Sequence, residues 1–155
     1  MAQNRLQSDH CREPITVTWR HRAEVLRYHQ YHMQAIVHEP NVVACMGILQ
    51  GTEIIGSVIF QRYRWPDIEV GIFTTSKSWC TRQTLNQIFS YPFQTLNCRR
   101  VTAITDSSTP EVCNFIKRLG FVEEGRLRQA LPHSDSIILG MLKAECRWIK
   151  HERNG

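Results

Sequence analysis

The alternation of apolar and polar positions divides the chain into strand-length and helix-length segments. Residues 42–49 form a nearly continuous apolar run, and a polar turn at residues 50–53 separates it from a second apolar run at residues 54–63. Two such runs on either side of a glycine-containing turn predict a hairpin. Further strands are predicted at residues 16–19, 68–74, 101–105, 122–130 and 136–142.

Two longer segments place apolar residues at helical spacing. The first is residues 20–37, in which one face can be shared by Val25, Leu26, His29, Met33, Ile36 and Val37, with arginines on the opposite face. The second is residues 82–96. It contains Pro92, and we expect this proline to kink or shorten the helix because it lacks the N–H that an inner helical turn needs.

The segment 101–125 carries the strongest local signal, a strand, a polar turn and one short helix. Thr109 stands where an N-cap is expected, Pro110 at the first helical position, and Gly120 where a left-handed residue would end the helix. Phe121 follows as a predicted buried anchor. The predicted buried face of the helix consists of Val112, Phe115, Ile116 and Leu119.

The order of these elements is strand, helix, three-strand meander, helix, strand, helix and two strands. It predicts an α/β fold with a central mixed sheet flanked by helices. Single helical crossovers join strand four to five and five to six, whereas the meander turns are too short for a crossover, so the sheet cannot be uniformly parallel. A length of 155 residues predicts one domain over residues 1–155, with a core at about residues 14–148.

Composition narrows the class of protein. No apolar run approaches membrane-spanning length, and the N-terminal stretch MAQNRLQSDHCREP is too polar for a signal peptide, so we expect a cytoplasmic protein without membrane contact. The net charge of +5 permits an anionic ligand or nucleic acid, but the basic residues are dispersed. Most of the six cysteines fall in apolar segments without metal-ligand spacing, which favours buried free thiols.

The block RLGFVEEGRLR at residues 118–128, the strand-loop-helix at residues 68–96 and the element order resemble the GNAT superfamily of acyl-CoA N-acyltransferases. The pattern R-L-G-F-x-x-E-G-x-x-R is similar to the branch that acetylates protein N-termini, including those of ribosomal proteins. The stretch from WPDIEVGIFTT to RRVTAIT and the closing GMLKAECRW resemble small GNAT proteins encoded by tailed bacteriophages. The resemblance covers about residues 42–148. It implies a GNAT-like fold, with strands four and five splayed apart.

The resemblance also implies acetyl-CoA as cosubstrate, its pantetheine arm bonded by strand four and its pyrophosphate cradled by the following loop. That loop normally has two glycines, whereas no glycine lies between Gly71 and Gly120 here, and Ser76, Trp79 and Thr81 occupy the nearest register. Alternatively, Trp79 only packs the loop. The implied cosubstrate-binding residues are Ile72, Phe73, Thr74, Trp79, Cys80, Thr81, Arg82 and Lys117.

An amine acceptor must lose a proton, and the developing oxyanion needs a hydrogen-bond donor. By resemblance Glu69 is the candidate base, with an outward-facing strand residue as the alternative. The family's tyrosine acid is absent, since Phe115 and Ile116 stand at its place. Ser107 and Ser108 are the candidate donors, with turn formation as the alternative.

The first helices of GNAT proteins wall the acceptor site, so Tyr28, His29 and His32 are the candidate acceptor-binding residues. The spacing of His29 and His32 also suits a metal pair. We expect no metal, because no acidic or cysteine residue clearly converges with them.

Three classes of function follow from the residues and the resemblance. The leading class is a phage-encoded N-acetyltransferase acting on an amine of a protein or small molecule. The alternatives are a phage protein that modifies adenine in nucleic acid, with nucleic acid a possible but less favoured partner, and a non-catalytic binding module on the same fold. The oligomeric state is left open between monomer and homodimer.

Overall fold

The computed structural model describes residues 13–33 and 39–152, in the element order that the sequence predicts. The strands in this part of the chain are β1 (Ile15–Thr18), β2 (Val42–Gln50), β3 (Glu53–Arg64), β4 (Asp67–Thr74), β5 (Arg100–Asp106), β6 (Val122–Leu131) and β7 (Ser134–Leu142). The α-helices are α1 (Arg22–Met33), α2 (Arg82–Ser90) and α3 (Pro110–Leu119). The predicted helical residues 34–37 lie outside the described residues.

The strands hydrogen-bond in the order β1-β2-β3-β4-β5-β7-β6. β1 is antiparallel to β2, whereas β4 is parallel to β5 with α2 as the crossover, so the sheet is mixed as predicted. The second crossover, through α3, does not make β5 and β6 neighbours, because β7 lies between them and is antiparallel to both.

The described residues form two compact units. The first contains the residues up to Ile59 together with Ile72–Ile88, and the second contains Phe60–Gly71 and the residues from Phe89 onwards. Strands β3 and β4 therefore contribute residues to both units.

In the first unit, α1 packs on the sheet through buried apolar side chains. This cluster consists of Val25, Leu26, Val42, Cys45 and Ile59, with Ile54 against it. The guanidinium of Arg22 donates to the carbonyl of Val42 over 3.0 Å, which fixes the start of the helix. The predicted apolar face is wrong at Met33, which is 45% exposed at the last position of the helix.

In the second unit, aromatic rings fill the core. Phe89 lies 6.5 Å from Phe93 and 6.1 Å from Phe121, measured between ring centroids. The predicted interruption at Pro92 is confirmed. Helix α2 ends at Ser90 and continues as the π-helical turn Tyr91–Thr95, where the proline lies in the first turn and needs no N–H partner.

Helix α3 confirms two predictions about its ends and corrects one. Pro110 occupies its first turn, and Gly120 ends it with φ 115°. Thr109 makes no side-chain cap hydrogen bond, because its hydroxyl donates instead to the carbonyl of Asp106 over 3.0 Å.

The buried face of α3 also differs from the predicted one. Cys113 and Leu119 are buried, whereas Val112 is 42% exposed. Cys113, Ile116 and Leu119 also have helical spacing, and a free cysteine packs as a small apolar residue, so the helix is rotated from the predicted face.

The cysteines of the described chain are free thiols, as predicted. Cys45, Cys98, Cys113 and Cys146 are buried and Cys80 is partly buried, while Cys11 lies outside the described residues. Over the described ranges, no helix has the length and hydropathy needed to cross a membrane.

Candidate functional site

Tyr28 and His32 of α1 form an aromatic cluster with Phe73 of β4 in the first unit. Their spacing of four residues puts both rings on one helix face. The Tyr28 and His32 centroids lie 4.4 Å apart, and the His32 ring stacks on Phe73 at 4.6 Å with an interplanar angle of 14°. The structure thus brings two predicted acceptor residues against a predicted cosubstrate residue.

The hydroxyl of Tyr28 is buried in this aromatic cluster and, among the described residues, has no hydrogen-bond partner. A buried hydroxyl without a partner loses the free energy of its hydrogen bonds to water, and no described residue compensates for this loss. Unsatisfied groups of this kind are expected where a ligand supplies the missing partner. The Tyr28 hydroxyl therefore identifies the aromatic cluster as a candidate ligand site.

His29 points elsewhere, into the core of the first unit. It is 6% exposed, and its Nδ1 lies 2.8 Å from the hydroxyl oxygen of Ser57, which is fully buried on β3. Burial lowers the pKa of His29 from 6.5 to about 4, so the imidazole is neutral at pH 7. In the structure His29 makes a core hydrogen bond rather than lining the aromatic cluster.

Within the residues that the structure describes, no three His, Cys, Asp or Glu side chains come together as metal ligands would.

The loop after β4 forms a single 3₁₀ turn at Lys77–Trp79 and then starts α2. The hydroxyl oxygen of Ser76 accepts the N–H of Ser78 over 3.2 Å, and that of Thr81 accepts the N–H of Thr84 over 3.2 Å as an N-cap. The first N–H groups of a helix have no partner inside the helix. The predicted loop residues Thr81 and Arg82 are therefore located at an anion-attracting helix N-terminus.

This loop follows its path without glycine. The non-glycine residues with positive φ in the described chain are His21, Arg62, Asn97 and Gln129, and none of them lies in residues 75–81.

Trp79 is 2% exposed, so the alternative interpretation, in which it packs the loop, matches its position. Cys80 is partly buried, and burial raises the pKa of its thiol.

Gly56 of β3 permits the close approach of the chain at the end of β4. A side chain at position 56 would bring a Cβ within 2.8 Å of the Thr74 methyl and 3.0 Å of the Phe73 carbonyl. Gly56 was not predicted as a site residue, although an isolated glycine inside an apolar strand is the usual sign of such an approach.

Glu69 lies in the second unit and is held by two donors. Its Oε1 accepts from Gln61 over 2.7 Å and its Oε2 from Arg62 over 2.9 Å, and its side chain is 15% exposed. Successive strand residues normally point to opposite faces. Gln61 and Arg62 reach the same carboxylate because Arg62 has φ 51°, which breaks the alternation.

The two serines of the turn after β5 differ in their contacts. The hydroxyl of Ser107 accepts the N–H of Asp135 over 2.9 Å, and the N–H of Ser107 donates to the carbonyl of the same residue over 2.9 Å. Ser107 therefore joins the turn to β7. Ser108 is exposed, and its N–H donates to Asp106 over 2.8 Å.

Lys117 of α3, which the resemblance implies as a cosubstrate-binding residue, forms an ion pair with Glu123 at 2.7 Å. The hydrogen bond that the ammonium donates to this carboxylate raises the pKa of Lys117. Its ammonium is thus already paired within the second unit.

The parallel register of β4 and β5 is short. It runs from Asp67 opposite Arg100 to Glu69 opposite Thr102, whereas β4 continues to Thr74 and β5 to Asp106. Among the described residues, those of β4 from Val70 to Thr74 have no register partner on β5. The parallel pairing of β4 and β5 thus consists of three residue pairs.

No protein-family model and no curated protein matches the sequence, but solved structures match its fold. A chimera of the spermidine N-acetyltransferase SpeG from Vibrio cholerae superimposes with a TM-score of 0.69 at 16% identity, covering 84% of this chain and 96% of that chain. A mutant form of the spermidine/spermine N-acetyltransferase SpeG from the same organism gives 0.70 at 16% identity, covering 84% and 96%. A dodecameric structure of spermidine N-acetyltransferase from Vibrio cholerae gives 0.69 at 16% identity, covering 84% and 94%. The chain therefore has the fold of GNAT acetyltransferases.

Proposed function

We propose that the protein is an N-acetyltransferase that moves an acetyl group from acetyl-CoA to an amine of a small molecule or protein. The observation that carries this proposal is the end of β4, which continues past its last partner on β5 and leads into the N-terminus of α2. An unpaired strand edge can hydrogen-bond an extended ligand as a neighbouring strand would.

In this proposal, the backbone groups of Ile72, Phe73 and Thr74 bond the pantetheine arm. The N-terminus of α2, capped by Thr81, attracts the pyrophosphate through its N–H groups and the helix dipole. Arg82 at the first helical position is exposed and adds a positive charge there. Trp79 supports the loop from within the core rather than by touching the cosubstrate.

The aromatic cluster of Tyr28, His32 and Phe73 is the proposed acceptor wall. The acceptor, or the arriving thioester, supplies the partner that the Tyr28 hydroxyl lacks. Glu69 is the proposed base. Each carboxylate oxygen has two lone pairs, and Gln61 and Arg62 use one on each oxygen, so a water or an amine can still bind there.

Three more specific parts of the proposal are supported by the sequence resemblance alone. These are that a bacteriophage encodes the enzyme, that it acts in the host cytoplasm, and that its acceptor is a protein N-terminus. The small-molecule alternative is supported by the spermidine N-acetyltransferases that share the fold.

Thermal unfolding with increasing acetyl-CoA tests cosubstrate binding. The melting temperature should rise with ligand concentration by mass action. This measurement distinguishes the enzyme from the non-catalytic binding module. An unchanged melting temperature at millimolar acetyl-CoA would contradict the proposal that the protein is an acetyltransferase.

Release of free coenzyme A in the presence of an amine panel that includes spermidine tests the chemistry. Glu69→Gln should lower kcat by about 10²- to 10⁴-fold, the range for loss of a general base, and should keep the acetyl-CoA shift. Glu152→Gln removes an exposed carboxylate near the C-terminus and serves as the matched control. Equal kcat in the two variants would exclude Glu69 as the base.

A further inference from the structure

The end of β3 and the turn that follows it carry two exposed aromatic rings interleaved with arginines, in the sequence Arg62-Tyr63-Arg64-Trp65. Tyr63 is 40% exposed and Trp65 is 57% exposed. Single exposed apolar residues are common on protein surfaces, but two large rings beside cations are the composition of surfaces that bind nucleic acid. We call Tyr63, Arg64, Trp65 and Arg99 the aromatic–basic surface.

Contacts within the second unit hold this surface in place. The guanidinium of Arg99 lies over the indole ring of Trp65, 5.0 Å from its centroid. The backbone N–H groups of Arg99 and Arg100 donate to the carbonyl of Pro66 over 2.9 Å and 3.3 Å, which ties the turn to the start of β5. Trp65 is therefore presented as an ordered ring, and a ligand meets a lower entropic cost than it would at a loose side chain.

The carboxylates near the aromatic–basic surface are engaged by other groups. Asp67 accepts from the hydroxyl of Thr102 at 2.8 Å and 2.9 Å and forms an ion pair with Arg100 at 3.4 Å. Glu69 is bound by Arg62, as described above. Among the described residues, neither Asp67 nor Glu69 forms an ion pair with Arg64 or Arg99, and the surface favours an anion that also carries rings.

We propose that the aromatic–basic surface binds single-stranded nucleic acid. A base stacks on the exposed area of the Trp65 indole, and the adjoining phosphates lie against Arg64 and Arg99. Stacking on a protein ring requires a base outside a duplex, so single strands are preferred over duplexes. An acidic peptide would satisfy the arginines but would leave the rings unused. This site is separate from the proposed acetyl-transfer chemistry and needs no acetyl-CoA.

Fluorescence anisotropy with labelled oligo-dT and oligo-rU of about 12 nucleotides, within the site sizes of single-strand binders, tests the site. Binding should be tighter for both than for a duplex of equal length. Two phosphate contacts predict a slope of log affinity against log salt of about −1.4 for a single strand. Quenching of tryptophan emission on binding should be lost in Trp65→Leu.

Matched variants separate stacking from charge. Trp65→Leu should weaken oligonucleotide binding about tenfold, because one stacked base is lost, while Trp65→Tyr keeps a ring and most of the affinity. Arg64→Gln should reduce the magnitude of the salt slope by about 0.7. Trp19→Leu, which removes a 52% exposed tryptophan of the first unit, should change nothing. Circular dichroism melting checks that each variant folds.

Four results would overturn the proposal. They are no binding of either oligonucleotide, equal affinity for the duplex, unchanged affinity in folded Trp65→Leu, and competition by polyglutamate as effective as by unlabelled oligo-dT. The last would assign the surface to an acidic protein. Oligonucleotide binding can be measured whether or not the protein transfers acetyl groups. A failure of the nucleic-acid proposal can therefore be distinguished from a failure of the proposed acetyltransferase function.

Discussion

A single buried histidine links the packing of the first unit to the pH dependence of stability. The pKa of His29 is about 4 in the folded chain against 6.5 ordinarily, because burial disfavours the imidazolium. Between these values the unfolded chain binds the proton more strongly, so the free energy of unfolding falls as the pH drops from 6.5 towards 4. The shift predicts a loss of about 2 kcal/mol between about pH 7.5 and pH 5.

Urea unfolding at both pH values measures this loss, with His29→Gln as the test variant. The variant should be less stable at pH 7.5, because it disturbs the contact with Ser57, but its stability should fall by about 2 kcal/mol less than the wild type on acidification. His133→Gln, at an exposed turn position, is the control and should keep the wild-type difference. The same acid loss in His29→Gln as in the wild type would refute the role of burial.

The hydroxyl of Tyr28 predicts opposite effects on stability and activity. Tyr28→Phe removes a buried oxygen that has no partner among the described residues, so the free energy of unfolding should stay equal or rise by up to about 1 kcal/mol. If a substrate supplies the missing partner, kcat/KM should fall about tenfold, the worth of one hydrogen bond. Urea unfolding and the coenzyme A release assay measure the two effects. Lower stability with unchanged kcat/KM would contradict a ligand-binding role.

The resemblance alone suggested Tyr28, His29 and His32 as acceptor residues, and their spacing along one helix indicated only that Tyr28 and His32 share a face. Phe73 lies far along the chain from His32, and Ser57 lies far from His29. Only the packing of α1 against β3 and β4 brings these side chains into contact. The same limit applies to Glu69. The resemblance suggested Glu69 as a site residue. Its contact with Arg62, however, depends on the positive φ of Arg62, which no local sequence pattern predicts.

At the scale of elements, the ends of helices and strands were predictable and their faces less so. Pro110, Gly120 and Pro92 act through the backbone, so their positions alone predicted the boundaries of α3 and the interruption after α2. The face of α3 was mispredicted because two sets of apolar residues share helical spacing. Which set is buried depends on β5 and β7, which α3 contacts.

The C-terminal end of α3 gives a test with an internal control. Gly120→Ala places a Cβ on a residue with φ 115°, and 3.4 Å from the sulfur of Met141, so it should lower the free energy of unfolding by about 1–2 kcal/mol. Gly125→Ala adds a Cβ that meets nothing within 4 Å and should be neutral or slightly stabilising. Chemical denaturation of both variants decides the matter, and similar losses would argue against the left-handed cap.

On the scale of the whole molecule, the fold was accessible from the sequence although no family model matches it. The fold follows from the order of strands, helices and short turns, and each of those has a local signature. The acceptor has no such signature. Its proposed wall combines side chains of α1 and β4, so neither segment alone encodes the substrate.

The net charge of +5 makes a prediction about acetyl-CoA and about spermidine as a test amine. Acetyl-CoA is a polyanion and spermidine a polycation, so the field of the protein attracts one and repels the other. Raising the salt concentration screens both effects. The Kd of acetyl-CoA should therefore rise, by about fivefold between about 0.05 M and 0.5 M salt, while the KM of spermidine should fall.

Calorimetry measures the Kd of acetyl-CoA, and coenzyme A release at saturating acetyl-CoA measures the KM of spermidine. An aromatic monoamine is the weakly charged reference. A spermidine KM that rises with salt would show that local acidic groups outweigh the net charge, and would make a polycation the favoured acceptor.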